Sequence, residues 1–233
     1  MATQLDLQEQ EQLDAFKAFW NKHGNLITWA LVLVLVVYAS WNGWNYWQRQ
    51  KAQQAGAMFE ELDRAVIVGD AAKAGRIFTD LRDRFPGTAY AEQAGLAAAS
   101  VQAANGQADA ARESLRWVAD HAAQDDIKTI ALLRLAGWQA EAKQTDEALK
   151  TLDGATAPAF EALVADRRGD LLILKGKPDE AKSAYQRAWA AMSDRLDYRR
   201  VIEAKLAALG AAPVVTATAV ATGASAVASG AKP

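Results

Sequence analysis

The chain has no cysteine among its 233 residues. That absence excludes disulfides, thiolate metal sites, a cysteine nucleophile and a lipid-modified cysteine anchor, and it fits either redox compartment. Histidine is almost as scarce. His23 and His121 are the only two, and neither has a partner at ligand spacing, so no metal site is expected. No glycine-rich phosphate loop and no nucleophile elbow occurs. The carboxylate pairs Glu60–Glu61 and Asp125–Asp126 are sequence neighbours on predicted helices, where their side chains point apart and read as solvated faces or caps. The expectation is a protein without catalytic, cofactor-binding or metal-binding residues, and with no small-molecule substrate. A basic surface is missing too. The net charge is −2, and Ala52 to Gly210 holds 24 acidic against 21 basic residues, well interleaved, which speaks against nucleic acid.

Charge itself disappears in one stretch. From Gly24 to Gln48 no residue is charged, and these 25 residues as a helix reach about 37 Å, beyond the ~30 Å of a bilayer's hydrocarbon core. At the far end of this run come Trp41, Trp44, Tyr46 and Trp47, and five of the chain's eight tryptophans fall between Trp20 and Trp47. Indole and phenol rings settle at the headgroup level, with an apolar body in lipid and a polar edge toward water. These four residues are expected to form the membrane interface, with the lipid bilayer as a partner. A cleaved signal peptide is the less favoured reading, because residues 1–23 open with Asp6, Glu9, Glu11 and Asp14 instead of a basic region. Lys17 and Lys22 before the run balance Arg49 and Lys51 after it, so the charge count leaves orientation open. Leu13, Phe16, Phe19 and Trp20 recur at helical spacing and predict a short amphipathic helix ahead of the span.

Beyond the span the chain is repetitive. The stretches GDAAKA (69–74), GQADAA (106–111), KQTDEA (143–148) and GKPDEA (176–181) end on Ala74, Ala111, Ala148 and Ala181, spaced 37, 37 and 33 residues apart. Four positions beyond each alanine stands a large side chain: Phe78, Leu115, Leu152 or Tyr185. A small residue one turn before a bulky one suits the close crossing of a helical hairpin. Gly69, Gly106 and Gly176 suit the left-handed residue that ends a first helix, and Pro178 the start of a second. The pattern resembles the tetratricopeptide repeat of about 34 residues, with Pro86 at its closing proline, although its signature first-helix aromatics are mostly missing. Asp194 to Leu209 is predicted to form a last amphipathic helix, with Tyr198, Ile202, Leu206 and Leu209 on one face, capping the stack.

The predicted fold is therefore all-α: a single transmembrane helix, then an α-solenoid of about four hairpins and a capping helix. The segments are 1–23 (amphipathic lead-in), 24–48 (span), 49–210 (repeats) and 211–233, an Ala/Val/Thr/Ser/Gly tail expected to lack order. First helices of such repeats line a concave groove. Repeat alignment puts Phe59, Asp63, Gln93, Leu96, Ser100, Ile130, Leu133, Asp166, Asp170 and Ile173 there. That set is apolar with scattered acids, so the expected ligands are apolar or basic extended segments. Capture of a C-terminal carboxylate is not expected, since Asn105 is the sole asparagine between Ala52 and Gly210.

The stretch EQLDAFKAFWNKHGNLITWALVLVL followed by GWNYWQRQKAQQAGAMFEEL resembles the start of the YfgM-type ancillary subunit of the bacterial SecYEG translocon. Shared features are the acidic, aromatic lead-in, a glycine before the span, and a Gly-Trp-x-x-Trp exit matched by Gly43, Trp44 and Trp47. The resemblance implies a single-pass inner-membrane protein with a cytoplasmic N-terminus and periplasmic repeats. Its implied partners are the Sec translocon, a membrane-anchored periplasmic chaperone of the prolyl-isomerase type, and exported client proteins. Two other roles stay open: an assembly chaperone for one periplasmic client, of the cytochrome-maturation type, and a cleaved periplasmic adaptor.

Overall fold

The computed structural model describes residues 3–193 and 197–212. The chain divides into two compact units, residues 1–58 and 59–233. No residue from Thr3 to Val66 is a proline, and α1 runs without a break from Thr3 to Ile67. The lead-in is thus not a separate helix, because nothing in the sequence stops it. Gly24, the glycine between lead-in and span, is covered by the Trp20 indole; a Cβ there would lie 3.1 Å from Trp20 Nε1. Phe16 stacks on Trp20 (6.2 Å between centroids) and Phe19 lies 5.1 Å from His23, while the Leu13 side chain falls outside the described residues. Further along, Leu31 to Val37 are exposed on all sides, as a lipid-facing helix requires. Trp44 and Trp47 pack at 5.7 Å, and the Lys51 ammonium sits 3.5 Å over the Trp47 ring.

The second unit is a stack of antiparallel hairpins. The end of α1 pairs with α2 (Ala71–Arg84), α3 (Ala89–Ala104) with α4 (Ala108–His121), α5 (Asp125–Glu141) with α6 (Thr145–Leu152), and α7 (Glu161–Leu174) with α8 (Pro178–Ala191). A final helix, α9 (Tyr198–Ala208), closes the stack and buries Ile202 and Leu206. The first residues expected in that helix, 194–196, and the tail from 213 onward lie outside the described residues.

Each hairpin turns by the same device. Gly69 donates to the Val66 carbonyl (3.0 Å) and Asp70 to that of Ala65 (2.9 Å), which satisfies the last carbonyls of the first helix. The same two bonds recur at Gly106 and Gln107, at Lys143 and Gln144, and at Gly176 and Lys177. The geometry needs a left-handed residue, with φ of 75°, 73° and 75° at the three glycines. Lys143, at φ 62°, occupies the same register and is the one described non-glycine residue with positive φ.

The repeat register also fixes the core. Ala74, Ala111, Ala148 and Ala181 are each 0% exposed, and Phe78, Leu115, Leu152 and Tyr185 are buried one turn on. Twelve residues before the alanines, on the first helices, stand Leu62, Ala99, Ala136 and Gly169. The sizes match: Ala99 and Ala136 share clusters with Leu115 and Leu152. The larger Tyr185 needs glycine, because a Cβ at Gly169 would come within 2.4 Å of its ring.

The third hairpin departs from the others. Its second helix, α6, has 8 residues where α2, α4 and α8 have 14. Gly154 follows its end, and one turn of 3-10 helix at Pro158–Phe160 leads into α7. The Ala157 N–H donates to the Thr129 hydroxyl (3.2 Å), which anchors this connector on α5. The regular spacing of the alanines concealed the truncation.

The strained turn supplies a prediction. A left-handed residue with a Cβ costs roughly 1–2 kcal/mol, of which glycine's extra chain entropy cancels about half. Lys143→Gly should therefore raise the melting temperature of the full-length protein by about 2 °C. A lower melting temperature would contradict the assignment of this turn.

Candidate partner-binding groove

Every residue expected in the groove lies on the end of α1 or on α3, α5 and α7, the first helices of the hairpins. Within the repeat unit α3 packs on α5 and α5 on α7, whereas α4, α6 and α8 approach one another less closely. First helices therefore gather on one side and second helices fan out on the other. Arg134 on α5 tightens the inner contact, its guanidinium donating to the Leu96 carbonyl on α3 (3.1 Å).

The ten residues divide into three groups. Phe59 packs on Tyr90 (5.8 Å) and Asp63 is exposed, both in the first hairpin. Leu96, Ile130 and Leu133 are half-buried, with Leu96 and Leu133 leaning on the cores of their hairpins, while Gln93, Ser100 and Ile173 are exposed. Ser100 and Leu133 share one cleft of about 400 Å³ between α3, α5 and α7, with Arg134, Gly137, Trp138 and Arg167 also on its walls. Asp166 and Asp170 are elsewhere.

Those two acids form a polar cluster under α9. Asp166 is 3% exposed; it accepts from Lys205 Nζ (2.8 Å) and from the Tyr198 hydroxyl (2.8 Å). Asp170 accepts from the same ammonium (2.7 Å) and from the Tyr185 hydroxyl (2.8 Å). Burial alone would lower the Lys205 pKa, but the hydrogen bonds and charges of Asp166 and Asp170 outweigh it and raise it above the ordinary lysine value. Burial, then the carboxylate each hydroxyl faces, pushes Tyr185 and Tyr198 up as well. The placement of Asp166 in an open groove is thus corrected, and Asp170 beside it is half-covered: repeat alignment gives the helix face, but the capping helix packs over these two positions in the last hairpin.

Arg134, Trp138 and Arg167 were missed in the sequence. The available signal was spacing on α5, where Leu133 and Gly137 are one turn apart, as are Arg134 and Trp138. Gly137 has nothing within 4 Å of a would-be Cβ, and this missing side chain opens the cleft. Among the described residues no group of three or more His, Asp or Glu is placed to hold a metal. His121 instead donates from Nδ1 to the Trp117 carbonyl (2.9 Å) and stacks on the Trp117 ring, a helix-end role.

This architecture defines a helical-repeat protein joined to one helix long and apolar enough to cross a membrane. A family model described as a tetratricopeptide repeat-like domain matches residues 17–211, and the chain belongs to that family. The match starts ahead of the apolar run, so the run belongs to the family pattern and is not an addition to it. Curated relatives agree. A Neisseria gonorrhoeae protein named ancillary SecYEG translocon subunit is 27% identical over 204 residues, 87% of this chain and 98% of the relative. Proteins of the same name from Escherichia coli (29% identical; 76% and 85% covered) and Aggregatibacter actinomycetemcomitans (28%; 78% and 89%) are also similar. The resemblance drawn from the N-terminal residues thus holds along nearly the whole chain.

The polar cluster makes two expectations about stability. Removing Lys205 leaves the buried Asp166 without its ammonium, so Lys205→Met should cost on the order of 3 kcal/mol at neutral pH. All three raised groups hold their protons more tightly when folded, so their contribution is complete below about pH 10, the ordinary range for lysine and tyrosine. It declines as pH climbs through the raised values. Circular-dichroism melts should show a falling melting temperature above that pH, with a shallower fall in Lys205→Met. Identical melts for both proteins at neutral pH would refute the cluster.

Proposed function

We propose that the protein is a non-enzymatic scaffold of the bacterial inner membrane that works beside the Sec translocon. Its N-terminus would face the cytoplasm, Gly24–Gln48 would cross the bilayer uncleaved, and the repeats would stand in the periplasm. One observation carries the reading: likeness to proteins named ancillary SecYEG translocon subunit extends over 98% of a relative's length and includes both the apolar helix and the repeats. A membrane helix keeps the module at the exit of an inner-membrane channel, where exported chains emerge unfolded. Periplasmic prolyl-isomerase-type chaperones and exported clients are the further partners that the family resemblance implies.

The repeat groove suits that task physically. A stack of hairpins is preformed, so an extended segment binds without the cost of ordering the receptor. Leu96, Ile130 and Leu133 offer half-buried apolar surface along neighbouring first helices, and Leu133 opens onto the cleft. Central, partly desolvated positions of this kind dominate binding energy.

The test fills the cleft without disturbing the stack. Gly137→Trp places an indole where no atom stands within 4 Å of the Cβ and replaces a poor helix former. The variant should melt no lower than the natural protein and should lose at least tenfold of translocon co-purification from detergent-solubilised membranes. Charge reversal at Arg112 and Arg116 on α4, neither of which lines the cleft, serves as control. Retention of translocon subunits by Gly137→Trp, with loss in the α4 variant, would overturn the groove reading.

A further inference from the structure

The sequence pointed to an apolar groove bearing acids, suited to apolar or basic extended segments. The structure changes its sign. Asp166 and Asp170 share the Lys205 ammonium and accept from two tyrosine hydroxyls, and neither lines the inner cleft. Arg134 and Arg167 remain on the walls of the cleft, and neither forms an ion pair among the described residues. Glu141 is the one acid on the same walls, so the lining carries a net charge of +1 (two arginines against one glutamate).

From this geometry we infer that the cleft takes an extended protein segment in which a single acidic side chain stands beside an apolar one. The inference rests on the groove reading above and names the chemistry of its ligand. Arg134 already commits one N–H to the Leu96 carbonyl, which fixes its position and leaves most of its planar fork for a carboxylate. Paired N–H donors on a carboxylate give strong, directional hydrogen bonds. Leu133, Gly137 and Trp138 supply the apolar wall for the neighbouring side chain. The cleft between α6, α7 and α8 differs in having three of its five cations paired, Arg168 with Asp153 (2.8 Å), Lys175 with Asp146 (2.5 Å) and Lys177 with Glu180 (2.6 Å), so that three carboxylates share its walls.

The experiment uses the full-length protein in neutral detergent micelles and two fluorescein-labelled peptides, one alternating leucine with glutamate and one alternating leucine with lysine. By fluorescence anisotropy the glutamate peptide should bind about tenfold tighter at low salt, with the advantage shrinking as salt screens it. Arg134→Gln with Arg167→Gln should erase the preference, Arg134→Glu with Arg167→Glu should reverse it, and the double lysine variant should retain most of it. Circular-dichroism melts of the glutamine and lysine pairs report whether each variant is folded. Equal binding of both peptides by the natural protein, or a preference that survives the glutamine pair, would overturn the inference. Should Gly137→Trp block both peptides equally while the arginine variants change nothing, the groove reading stands and the charge assignment falls. Binding that survives Gly137→Trp removes both. Competition by free glutamate or by anionic lipid in the micelles as strong as by the peptide would reduce the site to a simple anion site. A self-associated form that Gly137→Trp dissociates would make a second copy of the chain the occupant. Either result overturns the proposal.

Discussion

Everything in the repeat unit depends on one contact: a small side chain that lets two helices cross closely enough for a large one to fill the space beside them. Ala74, Ala111, Ala148 and Ala181 provide it at the start of each second helix, with no exposure at any of the four. The partner residue on the first helix adjusts to the ring or chain it meets, alanine against Leu115 and Leu152, glycine against Tyr185. Close packing gains its stability from such complementarity, since a gap forfeits dispersion contacts and an excess methyl forces a shift. Because each crossing is local, the stack needs no long-range specification. It needs the same few residue types at the same spacing, and then an end cap.

Turns obey a second constraint, which chemistry satisfies three times with glycine and once without. The hydrogen bonds at Lys143 have the same pattern as those at Gly69, Gly106 and Gly176. Backbone geometry is therefore set by the crossing of the helices, and the residue at the turn accepts it. A lysine in the left-handed region stores strain in the hairpin whose second helix is also the shortest. Both departures fall in one repeat, next to the cleft on the inner face.

How much of this was legible depends on which signals are periodic. The four alanines with their bulky followers and the turn glycines recur at fixed spacing, and the structure places them as expected, with Pro178 opening α8 and Ile202 and Leu206 buried on α9. The unbroken course of α1 was not legible as such, because an amphipathic stripe and an apolar run look like two elements until nothing is found between them to end the helix. The shortened α6 escaped because its alanine and leucine keep the register while Gly154 and Pro158 act afterwards. Arg134, Trp138 and Arg167 escaped for a different reason. They matter through a cleft formed by three helices, and only one of the three carries the spacing that would announce it.

The end cap has a consequence beyond stability. A repeat array must hide the apolar face of its last unit, and α9 does so with Ile202 and Leu206. Covering that face also buried Asp166 and half-covered Asp170, and a buried carboxylate without a cation is far costlier than an exposed one. Lys205 meets the requirement with one ammonium on two carboxylates, and Tyr185 and Tyr198 donate to the oxygens as well. The same arrangement neutralises one of the two negative charges on the face that includes Arg167. A lysine chosen for the closure of the stack thereby determines the electrostatic character of the surface beside it. Charge patterns in repeat proteins must accordingly be counted after the cap is docked, because residues on the final first helix answer to the capping helix before they answer to any ligand.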